Sequence, residues 1–407
     1  MLAATRGTWR AYPWPHRTVV FAGVLLSACR SEESAPSPAR PMIVVQVPAC
    51  EDPRVTPDVR LDGIDAGDAH TCVDLWECGA LCWGANYAGQ LGDGSFEPAP
   101  TPVWVARSLP IRQISLGNEH TCASTSDDRA HCWGANGNGE LGAEAPSYGE
   151  IVEIESLTAP VKQVAAEGFS VCALLENGSV YCWGSQAYTT FPMWMPTRVE
   201  GVEGAIAVAN GGTHACAITD DGSVWCWGQN SFGQLGDGMI GLGHPDARPV
   251  TGLPERAVVL ALSHETSCAI ISSGEVYCWG SSENAIAGNG SGEHQPTPLR
   301  VLELANVVEL DVSSTHACAV LSDGDVACWG DDIFLPSPST GTIPTPTRVP
   351  NISGAARIAA GFWYTCATTH NEEIYCWGTN GYWLGLGPGD VGFVGTPTRV
   401  EWRPALQ

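Results

Sequence analysis

Val171-Cys172-Ala173-Leu174-Leu175-Glu176-Asn177-Gly178-Ser179-Val180-Tyr181-Cys182-Trp183-Gly184 reads as a β-hairpin. Apolar and β-branched residues flank a Glu-Asn-Gly turn, and a cysteine stands toward each end. A three-residue hairpin loop wants its last residue in the left-handed region, which glycine adopts most easily. With Glu176, Asn177 and Gly178 as the loop, Leu175 faces Ser179 and Cys172 falls opposite Cys182. Opposed residues on antiparallel strands have Cα atoms about 4.5–5.5 Å apart, within the span of a disulfide.

The unit occurs seven times: Cys72 and Cys82, Cys122 and Cys132, Cys172 and Cys182, Cys216 and Cys226, Cys268 and Cys278, Cys318 and Cys328, Cys366 and Cys376. Each pair is ten residues apart, each second cysteine is followed by Trp-Gly, and the repeat period is 44 to 52 residues. A period near 50 built on hairpins predicts an all-β propeller of stacked small sheets rather than a two-layer domain. Continuous apolar runs such as Cys216-Ala217-Ile218 fit strands buried on both faces between neighbouring blades. A strand such as Ile111-Arg112-Gln113-Ile114 precedes each hairpin, a Gly-rich loop follows it, and a strand of the type Pro196-Thr197-Arg198-Val199 closes the unit.

The chain resembles the regulator of chromosome condensation repeat family. Its units pair a Gly-x-x-His-Thr-Cys-Ala-Leu stretch with Val-Tyr-Cys-Trp-Gly and Asn-x-x-Gly-Gln-Leu-Gly, as in Gly117 to Cys122, Val180 to Gly184 and Asn230 to Gly236. The match covers about residues 59–400, and the resemblance implies a seven-bladed β-propeller with short antiparallel sheets as blades. Copies 1, 2 and 4 match best. Copies 3 and 6 lose the Gly-Gln-Leu-Gly loop, having Ser185-Gln186-Ala187-Tyr188 and Asp331-Asp332-Ile333-Phe334 instead. Copy 5 keeps part of it, and copy 7 reads Asn380-Gly381-Tyr382-Trp383-Leu384-Gly385.

Upstream of the repeats, residues 1–28 read as a leader. Arg6, Arg10 and Arg17 form a basic region, Val19 to Leu26 a short apolar one, and Leu26-Ser27-Ala28-Cys29 resembles the lipobox of bacterial lipoproteins. That resemblance implies cleavage before Cys29 and a diacylglycerol on its thiol. Arg30 in place of Asp after the cysteine implies the outer membrane. Residues 29–58, rich in Ser, Pro and Glu, form a flexible tether, and the propeller spans 59–407. Cys50 and Cys78 are left over and can pair with each other. Such cysteine usage suits an oxidising compartment.

The charge balance narrows the partners. Removing the leader's three arginines from 19 basic residues leaves 16 against 44 acidic, a net charge of −28. Phosphate backbones are repelled by such a chain, which argues against nucleic acid. No run of 18 apolar residues appears, so membrane contact is expected only through the lipid on Cys29. A metal reading of His70, His120, His214 and His316, each two residues before a cysteine, is disfavoured: the cysteine pairs are spread around a ring and none has the close spacing of zinc sites. Those histidines are expected to hydrogen-bond between blades. Asp220-Asp221-Gly222 and Asp323-Gly324-Asp325 read as hairpin turns rather than calcium loops. No cofactor is expected. No nucleophile elbow, phosphate loop or His-Glu-x-x-His motif is present.

Two copies put bulky apolar residues where the others have Gly-rich loops: Phe191, Met193 and Trp194 in copy 3, Tyr382 and Trp383 in copy 7. Aromatic and methionine side chains are enriched at binding hot spots, so these are candidate partner anchors, with Trp194 and Trp383 foremost. They serve equally well as plugs of the propeller core. The reading is an extracytoplasmic, lipid-anchored module that binds another protein or an envelope polymer without catalysis. The nuclear relatives implied by the resemblance promote guanine-nucleotide exchange on a small GTPase, partners an acidic secreted chain does not meet. Among secreted relatives of this type is a β-lactamase inhibitor, so an inhibitor or adhesion module is the nearest analogue. The rival is a glycan-acting enzyme with its site at the propeller mouth, which a cluster of carboxylates with raised pKa values on one face would favour.

Overall fold

The computed structural model describes residues 60–402 except 76–77, 145–148, 186–192, 291, 332–340 and 389–391, together with Thr18–Val19. Seven antiparallel sheets form a ring of blades. These span Leu61–Val105, Ile111–Glu153, Val161–Arg198, Ala205–Pro249, Ala257–Arg300, Val307–Arg348 and Ala355–Val400. Six of the sheets are four consecutive strands in sequence order, and the blade 5 sheet has its own four consecutive strands plus a fifth from far upstream. The first strands of neighbouring blades pack side by side around the axis, blade 7 against blade 1 included. Thr18–Val19 pairs antiparallel with the first strand of blade 5, opposite Leu262 and Ala261. The remainder of the expected leader and tether, with Cys29 and Cys50, lies outside the described residues.

The hairpin register is the one the turn demands. Cys172 lies opposite Cys182, and the Leu175 amide donates to the Ser179 carbonyl at 3.0 Å. Gly178 takes φ +78°; in blades 2 and 7, Asp128 and Glu372 occupy the same left-handed position at +65° and +61°. The Sγ atoms of Cys72 and Cys82, and of each of the six corresponding pairs, are at bonding distance with Cα atoms 4.1 Å apart. Cys78 is also disulfide-bonded.

Second strands such as Ser170–Leu175 are buried at every position, because the next blade covers what their own blade leaves bare. The seven Cys-Trp-Gly tryptophans are the largest fully buried side chains. The glycine after each has a backbone reason: Gly184 sits at a register shift with φ +86°, and a Cβ there would lie 2.4 Å from the Phe169 carbonyl.

Candidate functional site

The joints between blades explain the loop motif. The indole N–H of Trp133 donates to the Gln90 carbonyl in the Gly-Gln-Leu-Gly loop of the preceding blade at 3.0 Å. Trp183 uses the Glu140 carbonyl, Trp279 that of Gln234 and Trp329 that of Ile286, at 2.7–2.9 Å. The closing glycine of the loop packs on the same ring: a Cβ on Gly92, at φ +74°, would lie 2.7 Å from Trp133 Nε1. Blades 3 and 6 lack the loop, and the Trp227 and Trp377 indole nitrogens in the blades that follow them are buried without a hydrogen-bond partner. Sequence reasoning noticed the missing loops but not the donors they leave behind, because each bond joins residues 43 or 45 positions apart.

The histidines belong to the same joints. Thr121 donates its hydroxyl to Gln90, so His70 Nε2, 3.0 Å away, must carry a proton and donate to Thr121 Oγ1. His214 does the same to Ser267 at 2.6 Å, and His316 reaches Thr365 Oγ1 at 2.6 Å. The blade-to-blade role expected of them holds at these three. It fails at His120, where Val171 occupies the position of the hydroxyl residue and both ring nitrogens are buried without a partner. Burial pushes His70, His120 and His214 down to about 3, so all three are neutral at neutral pH. No group of His, Cys, Asp and Glu able to hold a metal occurs among the described residues.

The Asp-Gly turns are turns: Asp221 Oδ1 accepts the Ser223 amide at 2.9 Å and the Thr219 hydroxyl at 2.8 Å.

On the face that carries the hairpin turns, a polar cavity of about 250 Å³ opens at the axis, with Asp62, Asp74, Arg112, Lys162, Glu309 and Arg357 in its wall. Lys162 is the chain's one lysine. The first strand of every blade but the fifth is a sheet edge, and in blades 2, 3, 4 and 7 polar side chains of the preceding blade satisfy it. Gln113 bonds both the carbonyl and the amide of Val164, and Gln163 both groups of Val208, at 3.0–3.4 Å. Asp65, Ser115 and Asp311 accept the amides of Leu116, Ala166 and Ala360 at 2.8–3.0 Å. Glu309 holds the position of Gln113 and Gln163 but its Oε2 has no hydrogen bond, and Arg357 Nη1 stands 3.6 Å away. Burial, with Asp311 nearby, pushes its carboxyl up to about 8 against the pull of Arg357. Burial and Asp62 push Asp74 up to about 7.

The opposite face carries the Gly-rich loops. There Trp194 and Met195 of blade 3 are exposed, as are Met239, Ile240 and Leu242 of blade 4, Leu242 by 92%. In blade 7, Trp363, Tyr382 and Phe393 are exposed. In blade 1, Tyr87 and Phe96 are exposed.

Two descriptions of the regulator of chromosome condensation (RCC1) repeat match this chain, one over residues 111–140, 161–188, 205–234 and 307–334, the other over 79–124 and 221–270. The chain carries regulator of chromosome condensation repeats. Among solved structures, Prp20p of Saccharomyces cerevisiae, described with its binding to Gsp1p and histones, shares 23% identity. That match covers 84% of this chain and 87% of Prp20p with a TM-score of 0.71. Yeast RCC1 (Prp20) bound to Kap60 gives 21% identity over 93% of this chain and 91% of that chain, TM-score 0.71. Human WBSCR16 gives 20% identity over 84% and 83%, TM-score 0.51. At these identities the likeness is one of fold.

Within this RCC1-repeat propeller the candidate anchors separate. Phe191 lies outside the described residues, and of Met193 only the backbone is described, opposite Gly184. Trp194 and Tyr382 are each 42% exposed. Trp383 is packed into the joint between blades 7 and 1. Its carbonyl accepts the Trp83 indole at 2.8 Å and the Thr71 hydroxyl at 3.2 Å, and its own indole donates to Thr379. It stands where blade 1 has Gln90 and does that residue's work.

Proposed function

We propose that this RCC1-repeat propeller is a binding module of the cell envelope, held at the outer membrane by lipid on Cys29 and binding a protein or an envelope polymer without catalysis of its own. RCC1-like propellers are a family of protein-interaction modules. The observation that carries the reading is the number of exposed apolar side chains on neighbouring blades 3 and 4: Trp194, Met195, Met239, Ile240 and Leu242. Seven hairpins, each cross-linked by its own cysteine pair, support an oxidising compartment. Guanine-nucleotide exchange has no place there. A second reading, a glycan-acting enzyme at the propeller mouth, is favoured by Asp74 and Glu309, two carboxyls of raised pKa in one cavity wall.

Labelled fatty acid should enter the wild-type chain and not the Cys29→Ala variant, whose leader stays uncleaved; equal labelling overturns the anchor. Capture of envelope components by the full chain should survive Glu309→Gln. Release of sugars from envelope glycan by wild type and not by Glu309→Gln would replace the binding reading with the enzymatic one.

A further inference from the structure

On the loop face, between blades 5 and 6 and against blade 7, lies a cleft of about 390 Å³. Among the described residues its lining includes Ser263, His264, Glu265, Ser281, Glu283 and Phe362, and no lysine or arginine. The turn between the first two strands of blade 5 makes it differ from its neighbour. In blade 6 the corresponding Ser313 hydroxyl is held by Thr315 Oγ1 at 3.1 Å and by the His316 carbonyl at 3.0 Å. Blade 5 has Glu265 and Thr266 at those places, and the Ser263 hydroxyl, fully buried in the cleft wall, is left without a partner.

Glu265 is half-buried, with Ser281 as its hydrogen-bond donor and the exposed Glu283 close enough to act on its charge. Burial, then Glu283, push its carboxyl up to about 7. A half-buried carboxylate beside a second one, with no lysine or arginine among the described residues of the wall, lacks the partner that such charges need. Across the cleft, Phe362 supplies an aromatic wall, its ring 4.4 Å from that of the exposed Trp363. Two carboxylates, a free hydroxyl and an aromatic ring are what an N–H-bearing organic cation requires: charge-assisted hydrogen bonds on one side and ring attraction on the other.

Resting on the binding-module reading, we propose that this cleft receives a cationic side chain, an arginine or lysine presented by a partner protein, with Glu265 and Glu283 as counter-ions, Ser263 as acceptor and Phe362 as the stacking wall. The net charge of −25 steers basic segments to the molecule, and the cleft gives one such side chain a defined seat.

The probe is a short peptide with one central arginine, compared with the same peptide carrying neutral, nearly isosteric citrulline, titrated calorimetrically into the full chain. The arginine peptide should bind at least about tenfold more tightly, a difference of about 1.4 kcal/mol. Glu265→Gln with Glu283→Gln should erase that difference, whereas Glu97→Gln with Glu176→Gln, equal in charge change but away from the cleft, should preserve it. Equal binding of both peptides to wild type overturns the proposal. So does an arginine preference that survives Glu265→Gln with Glu283→Gln or is lost equally in the control variant. Phe362→Ala offers a second route, since it leaves the carboxylates in place: it should weaken the arginine peptide severalfold, and an unchanged affinity counts against the stacking wall. Capture from envelope extract separates this failure from the other. If wild type and the Glu265→Gln, Glu283→Gln variant capture the same components equally, the cleft proposal falls and the binding module stands; if wild type captures nothing, the module reading falls.

Discussion

Trp83 closes the ring on Trp383: its indole N–H donates to the Trp383 carbonyl at 2.8 Å across 300 residues of chain. The contact repeats, at the one joint where the chain's two ends meet, the bond that Trp133 makes to Gln90. Five tryptophans are satisfied this way, while Trp227 and Trp377 are not.

A phenylalanine scan should therefore split the tryptophans into two classes. Every Trp→Phe change loses similar packing, but Trp133→Phe and Trp279→Phe also lose a buried hydrogen bond. They should be less stable than Trp227→Phe and Trp377→Phe by about 1 kcal/mol or more. Urea midpoints at constant m-value measure the difference, and a uniform cost across all four would refute the assignment.

Valine 171 deprives His120 of the partner that Thr121 gives His70. Val171→Thr should supply it, raising stability by about 0.5–1.5 kcal/mol if the hydroxyl reaches Nε2. The same change with His120→Ala should show no gain, so a double-mutant cycle reads the bond directly.

Acid and alkali should act on different groups. His70, His120 and His214 have folded pKa values of about 3, below their unfolded 6.5, so the unfolded chain binds more protons between these values and stability falls as pH drops through that window. Glu309, at about 8 against an unfolded 4.5, has the opposite sign: the folded chain holds the extra proton, and stability is lost as pH rises from 4.5 toward 8. Glu309→Gln keeps the neutral form and matches Gln113 and Gln163. It should stabilise the protein at pH 8 by more than about 1.4 kcal/mol, the worth of one pKa unit, and change little near pH 4.

Trp194 and Trp383 should behave oppositely. Trp383→Ala empties part of the joint between blades 7 and 1 and should lower stability by about 3 kcal/mol or more. Trp194→Ala should leave the melting temperature nearly unchanged and weaken partner capture by about 2 kcal/mol. Loss of stability without loss of capture in Trp194→Ala would move the binding surface elsewhere.

Removing one cross-link tests the role of the cysteines. Cys172→Ser with Cys182→Ser opens a short loop, for which chain entropy gives about 2–3 kcal/mol, and less where the unfolded hairpin keeps some order. Denaturation with and without reductant measures it.

The blades were legible in the sequence because everything that fixes them is local. The ten-residue cysteine spacing, Gly178 and its counterparts, and the Cys-Trp-Gly bulge set register within one hairpin. The joints were legible only in outline. Gln113, 51 residues from Val164, reads as a polar residue in a strand until the next blade is placed beside it. The same holds for the Ser263 hydroxyl, whose isolation appears only when blade 5 is superposed in thought on Ser313 of blade 6. Trp383 left two readings open for a related reason. Its bulk suits a partner anchor and a plug of the core equally, and only the neighbouring blade reveals that its backbone carbonyl performs the task of the Gln90 position. Trp194, with no such task, remains the side chain whose exposure the sequence anticipated.

The four successive strands that make up each blade run in unbroken order, so over residues 60–402 the ring has no privileged first blade. Residues 106–110 suffice to lead from the outer edge of blade 1 to the inner edge of blade 2. A linker of similar length between residues 402 and 60, with new ends cut between blades 3 and 4, defines a circular permutant of the same architecture. That cut falls at a joint where Trp227 already lacks an acceptor, so it severs no loop-to-indole bond. A cut between blades 1 and 2 would leave the Gln90 contacts to re-form between distant chain ends. The two joints whose tryptophans lack an acceptor are thus the places where this circle is most readily opened.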